Sequence, residues 1–129
     1  MASVLIVEDQ PKDLRIAADV ARSAGFSEVE ARSSAMLARV LLERGLEEQG
    51  PLPNAIILDL DLGYESGFEL LRYWHSKPRL AQIPLIVWTA LGDEQREICR
   101  LFRVDAFISK NEGPAKLQDA LANLHSAAS

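Results

Sequence analysis

Cysteine is nearly absent: Cys99 stands alone in 129 residues, so no intramolecular disulfide can form and no Cys cluster frames a zinc site. The two histidines, His75 and His125, are not at ligand spacing either. A reducing compartment fits this usage. Basic charge is also in deficit, with 14 Lys and Arg against 19 Asp and Glu and a net charge of -5. No basic run compensates locally, which argues against direct binding to nucleic acid phosphates. No apolar stretch is long enough to span a bilayer, and the N-terminus lacks the basic and apolar regions of a signal segment. A cytoplasmic protein without membrane contact is expected. Repeats and low-complexity tracts are missing as well.

What is present is an ordinary core-forming composition, 48% hydrophobic and 26% charged, at a length that suits one domain spanning residues 1–129. Short apolar runs at residues 4–7, 55–58, 85–88 and 106–108 are rich in β-branched or aromatic residues and too short for helices. They read as strands. Residues 28–31, Glu-Val-Glu-Ala, alternate as a strand with one wetter face does, which places it at a sheet edge. Helical spacing separates these runs, as in Leu14, Ala17, Ala18 and Ala21 or in Leu117, Ala120, Leu121 and Leu124. Pro11 suits a first helical turn, Ser33 or Ser34 a cap of the second helix, Asp93 a cap of the fourth, and Gly25 a stop after the first. Residues 45–54, with three Gly or Pro after Gly45, are expected to form the longest loop.

Alternating strands and helices imply an α/β fold: a doubly wound, flavodoxin-like (βα)5 domain with helices on both faces of a five-stranded parallel sheet. The apolar runs belong inside the sheet, so the strand order is expected to be 2-1-3-4-5. The chain then reverses direction between strands 1 and 3, and a ligand crevice is expected at the carboxyl ends there. Just past the strands stand Glu8, Asp9, Asp59, Thr89 and Lys110. Like charges about 4 Å apart repel by roughly 4 kcal/mol at an effective dielectric near 20, so three converging carboxylates need a counter-ion. Mg²⁺, a hard cation bound through one or two carboxylates and phosphate oxygens, meets that need. An Asp carboxylate can also attack phosphorus, helped by positioning and charge neutralisation. Asp59 would be the nucleophile, Glu8 and Asp9 the metal ligands, Lys110 and Thr89 the groups on the phosphoryl oxygens. Asp61 can lend its backbone carbonyl to the metal.

Val-Glu-Asp at 7–9, Leu-Asp-Leu-Asp-Leu at 58–62 with Gly67 following, Val-Trp-Thr-Ala at 87–90 and Phe-Ile-Ser-Lys at 107–110 together resemble a response-regulator receiver domain, from residue 4 to about 124. The resemblance implies Mg²⁺ at the acidic pair and a phosphoryl group on Asp59, delivered by a sensor histidine kinase or a histidine phosphotransfer protein of a two-component or phosphorelay system. It implies Thr89 and Phe107 as the switch pair, and a downstream protein target on the fourth helix, fifth strand and fifth helix. A stand-alone receiver without an output domain, monomeric or weakly dimeric, is expected. Such a protein is a signalling switch rather than an enzyme, although it takes part in its own phosphoryl transfer and dephosphorylation.

Several residues depart from the family pattern. Asn111 follows Lys110 where Pro is usual, and a cis bond there would cost about 2.5–4 kcal/mol. Gly63 replaces a common Pro, Leu91 is apolar, and Arg103-Val104 stands where small residues are frequent. Two other functions compete. Asp59-Leu-Asp61 resembles the acid pair of haloacid-dehalogenase phosphatases, but Gly63 stands where that family has Thr. A degenerate receiver that binds partners without phosphorylation is the other. The bland readings are a helix-start role for Asp9, a turn at Asp59, a solvated Lys110, packing roles for Trp74 and Trp88, and a half-buried, inert Cys99.

Overall fold

The computed structural model describes residues 2–63 and 65–128, with side chains as far as Leu124. His125 therefore lies outside the described side chains. The chain runs β1 (Ser3–Val7), α1 (Pro11–Ser23), β2 (Glu28–Arg32), α2 (Ala35–Glu47), β3 (Ala55–Leu58), β4 (Asp61–Leu62), β5 (Glu65–Ser66), α3 (Gly67–Ser76), α4 (Pro78–Ala81), β6 (Leu85–Thr89), α5 (Asp93–Leu101), β7 (Ala106–Ser109), a 3-10 turn (Lys110–Glu112) and α6 (Pro114–Ala128). The main sheet is parallel in the order β2-β1-β3-β6-β7. This is the expected 2-1-3-4-5 arrangement, with the polar β2 at one edge.

Period-2 alternation divides the core between the two faces. Leu5, Val7, Ile56, Leu58, Leu85 and Val87 face the side covered by α2, α3, α4 and α5, whereas Val4, Ile6, Ile57, Ile86 and Trp88 face α1 and α6. All of these strand residues are buried. Among the described residues no helix is long and apolar enough to cross a membrane.

Local chemistry sets the ends of the helices. Pro11 occupies the first turn of α1, where its missing N–H is no loss. At the other end Gly25, at φ +107°, lets Phe26 N–H donate to Ala21 O and Gly25 N–H to Arg22 O, a left-handed stop. The Ser34 hydroxyl caps α2 by accepting from Leu37 N–H at 3.1 Å.

Four details differ from the sequence expectation. Gly92, not Asp93, is the N-cap of α5; Asp93 sits inside the first turn, where its charge favours the dipole and its carboxylate lies 3.8 Å from Arg96. The α2 helix continues through Gly45 to Glu47, so the loop is shorter than residues 45–54. A Cβ on Gly45 would fall 2.5 Å from Leu52 Cδ2, the end of a flexible side chain that would have to turn aside. The β4–β5 hairpin and the short α4 add elements to the simple (βα)5 series. Cys99 is fully buried rather than half-buried, and burial pushes its thiol up to about 11.

Candidate functional site

Each site residue is the first or second residue past a core strand, or a strand's last residue. Glu8 N–H donates to Arg32 O and Asp59 N–H donates to Val7 O, both at 3.0 Å, so the ladder carries these backbones one step beyond β1 and β3. Thr89 ends β6, paired with Ser109 of β7, and Lys110 follows directly. Five side chains from four separate places in the sequence thereby meet at the carboxyl edge, where the chain reverses between β1 and β3.

The contacts are short. Thr89 Oγ1 donates to Asp59 Oδ1 at 2.7 Å, and Asp61 N–H donates to the same oxygen at 3.0 Å. Lys110 Nζ donates to Asp59 Oδ2 at 2.8 Å and lies 2.7 Å from Glu8 Oε1. Glu8 is 2% exposed, Asp59 4% and Thr89 0%. Burial pushes the Glu8 carboxyl up to about 7, against the pull of Lys110. Burial works against the Lys110 ammonium too, but hydrogen bonds to Asp13, Asp59 and Glu8 outweigh it and hold the group above its ordinary value. The ammonium also stands 5.2 Å from the Trp88 ring centroid.

Carboxylate oxygens of Glu8, Asp9 and Asp59 all lie within 4.8 Å of one another. Asp9 Oδ1 is buried without a hydrogen-bond partner, which costs free energy unless a cation or donor meets it. The crevice therefore combines three oxygen donors, a spare buried lone pair, one ammonium and one hydroxyl.

Two glycines shape the walls. Gly67 N–H donates to Leu60 O at 2.9 Å, and a Cβ there would fall 2.4 Å from Asp59 O and 2.8 Å from Leu60 Cα. Only glycine lets α3 press this closely on the Asp59 loop. Gly63 has φ +72°, and a Cβ would meet Asp9 Oδ2 at 3.3 Å. At the other departures from the family pattern, the Lys110–Asn111 bond is trans, as are the rest among the described residues, and Ser109 Oγ accepts from Asn111 N–H at 3.2 Å. Leu91 is half-buried against the α2–α3 side of the core, with its N–H 3.4 Å from Thr89 Oγ1. Arg103 closes α5 in a left-handed conformation, φ +58°, where a smaller residue would pass more easily.

Sequence reasoning singled out Glu8, Asp9, Asp59, Thr89 and Lys110, and the fold brings all five together; Asp61 contributes its N–H to Asp59. Three further residues escaped it. Asp13 accepts from Lys110 Nζ at 2.8 Å. Glu65 Oε1 accepts from Ala35 N–H at 2.9 Å, tying the β4–β5 hairpin to the start of α2. Arg96 lies 4.8 Å from the Phe107 ring centroid and donates to the Phe107 carbonyl at 3.2 Å. The only signal for Asp13 was its place four residues after Asp9 on a helix start; nothing local marks Glu65 or Arg96. Trp74 and Trp88 are buried, and Trp74 Nε1–H donates to Ile83 O. His75 is exposed, edge-on to Phe102.

Fold and crevice define a class: a doubly wound parallel domain that gathers acids, an alcohol and an amine at its switch point. The chain belongs to the response regulator receiver domain family, whose model matches residues 4–122. It is similar to the response regulator Rcp1 of Synechocystis, 29% identical over 84% of this chain and 76% of Rcp1. It is likewise similar to the polar-differentiation response regulator DivK of Brucella ovis, 30% identical over 84% of this chain and 83% of DivK. The crystal structure of Mn²⁺-bound Rcp1 superposes with a TM-score of 0.78 at 27% identity, covering 98% of this chain and 93% of the other. That of the phosphorylated cyanobacterial phytochrome response regulator RcpA gives 0.77 at 25%, covering 95% and 90%.

Proposed function

We propose that this receiver takes a phosphoryl group on Asp59 from the imidazole of a histidine kinase or a histidine phosphotransfer protein, and that the modification changes its affinity for a downstream protein. The observation that carries this reading is the double hold on the Asp59 carboxylate, Thr89 Oγ1 on one oxygen and Lys110 Nζ on the other, beside two more acids. An Asp59 oxygen forms the new bond to phosphorus while the phosphorus–nitrogen bond breaks and the imidazole leaves. Lys110 and Thr89 then meet phosphoryl oxygens with donors that are already aimed at the reacting carboxylate.

The donor set fits Mg²⁺: hard carboxylate oxygens of Glu8, Asp9 and Asp59, with Asp9 Oδ1 buried and unpartnered. The backbone carbonyl of Asp61 is the proposed fourth protein ligand. When bound, the ion would neutralise charge on the transferred oxygens. Rcp1 has been crystallised with Mn²⁺ and RcpA in phosphorylated form, and both precedents support the reading.

Phosphorylation adds about -1.5 to -2 charge. The Thr89 hydroxyl follows the new oxygens, the loop to Leu91 moves with it, and Phe107 repacks on β7. Phe107 carries no hydroxyl, so it answers through packing and through Arg96. The proposed output surface is α5, β7 and α6. The protein is thus a cytoplasmic switch rather than a turnover enzyme, and with Gly63 at the position that decides against it, a haloacid-dehalogenase phosphatase is not favoured.

Incubation with Mg²⁺ and phosphoramidate, read by intact mass, is expected to add one phosphoryl group. EDTA and the Asp59→Asn substitution should each abolish it. Labelling that survives Asp59→Asn would overturn the assignment.

A further inference from the structure

Lys110 Nζ donates to Asp59 Oδ2 and to Asp13 Oδ2, each at 2.8 Å, and forms an ion pair with Glu8 Oε1 at 2.7 Å. These carboxylates are not equivalent. Glu8 and Asp59 belong to the group of three acids whose oxygens converge, and Asp13 does not. In the function proposed above, Glu8 turns to a cation and Asp59 becomes an acyl phosphate, so both change what they offer the ammonium. Asp13 changes nothing. It sits in the first turn of α1, 97 residues away in sequence, with a side chain 27% exposed beside the 13% of Lys110. A first-turn acid is favoured by the helix dipole alone. The dipole gives it no reason to meet the first residue past β7.

We infer that Asp13 is a positioning residue for phosphoryl transfer: by holding one N–H of Lys110 in both states, it keeps the ammonium aimed into the crevice at Asp59 and Glu8. An ammonium is a point charge on a flexible stem, with costly rotamer freedom, so a fixed third partner replaces geometry that the lysine lacks by itself. The inference rests on the proposed reaction at Asp59, and it adds a residue that touches neither the acceptor oxygen nor the acidic trio.

Phosphorylation by phosphoramidate is measured by intact mass across a Mg²⁺ titration for wild type, Asp13→Asn, Asp13→Ala and Asp13→Glu. At saturating Mg²⁺ the rate should fall about tenfold in Asp13→Asn and Asp13→Ala, the factor one charge-assisted hydrogen bond carries. The half-saturating Mg²⁺ concentration should stay within about twofold of wild type, and Asp13→Glu should recover part of the rate. A purely structural role would not divide rate from metal dependence in this way. A second arm needs no phosphoryl transfer: acylation of Lys110 by acetic anhydride, read by peptide mass, should quicken several-fold in Asp13→Ala because one carboxylate fewer holds the ammonium in its protonated form.

A rate that is unchanged or raised would overturn the inference, as would a deficit that saturating Mg²⁺ repairs, which makes Asp13 an aid to the cation instead. Unchanged acylation would overturn the hold itself. If wild type takes no phosphoryl group, the reaction at Asp59 is refuted, and this role for Asp13 falls with it even where acylation shows the contact.

Discussion

Replacing Lys110 by Met keeps the length of the stem and removes the ammonium. Glu8, Asp59 and Asp13 then lose contacts of 2.7–2.8 Å, the first two inside a crevice where they are 2% and 4% exposed. Removing one partner of a buried ion pair costs about 3–5 kcal/mol, because the other charge is left uncompensated. For a chain of this length each kcal/mol moves Tm by roughly 3–6 °C, so the metal-free variant should melt about 10–30 °C below wild type at pH 7.5. The gap should narrow in acid. Without Lys110 the Glu8 carboxyl rises beyond its value of about 7, while in the unfolded chain it titrates near 4.5. Between those values the folded state holds more protons than the unfolded one, so stability falls as pH rises, and it falls further in the variant. Mg²⁺ should repair the defect, since a ligand at a hundred times its Kd contributes about 2.7 kcal/mol and no ammonium now competes for the acids. Circular dichroism melts at pH 5.5 and 7.5, with EDTA or with Mg²⁺, test each part. A metal-free variant as stable as wild type at pH 7.5, or a gap indifferent to pH, would refute the reasoning.

Gly67→Ala should cost about 2–3 kcal/mol, from a Cβ forced 2.4 Å from Asp59 O and a weakened bond from Gly67 N–H to Leu60 O; the urea midpoint should drop by about 1–2 M. The Cys99 thiol, pushed up to about 11 by burial, should resist alkylation at pH 8 until urea unfolds the chain. Unfolded, it ionises near 9, so the folded state keeps a proton that the unfolded state loses between about 9 and 11, and stability should decline as pH rises through that window. A Cys99 that is alkylated as fast folded as unfolded would show that the α5 packing is wrong.

The strand at 55–58 coincides with β3, because a run buried on both faces has no alternative use for four consecutive apolar side chains. Ser34, Pro11 and Gly25 did what their chemistry predicts. The β4–β5 hairpin was invisible, since two residues per strand leave no periodicity to read; it depends on Gly63 turning the chain beside Asp9. The loop expected over residues 45–54 begins only after Glu47, because the buried face of α2, Ala35, Ala38 and Leu42, outweighs the weak helix propensity of one glycine, about 1 kcal/mol. At the site, the five residues at strand ends were legible because the topology rule says where to look. Asp13 and Arg96 were not: Asp13 acts on a partner 97 residues away, Arg96 on one in the next strand, and a first-turn acid or a mid-helix arginine has an adequate local explanation.

Trp88 lies under the Lys110 ammonium, on the sheet face opposite Trp74. An indole in an apolar setting responds to a charge that shifts a few ångströms above it, whereas Trp74, fixed to the Ile83 carbonyl, supplies a steady background. The molecule thus carries its own optical gauge: whatever draws the lysine elsewhere, metal or phosphoryl group, should register as a change in emitted light without any attached dye.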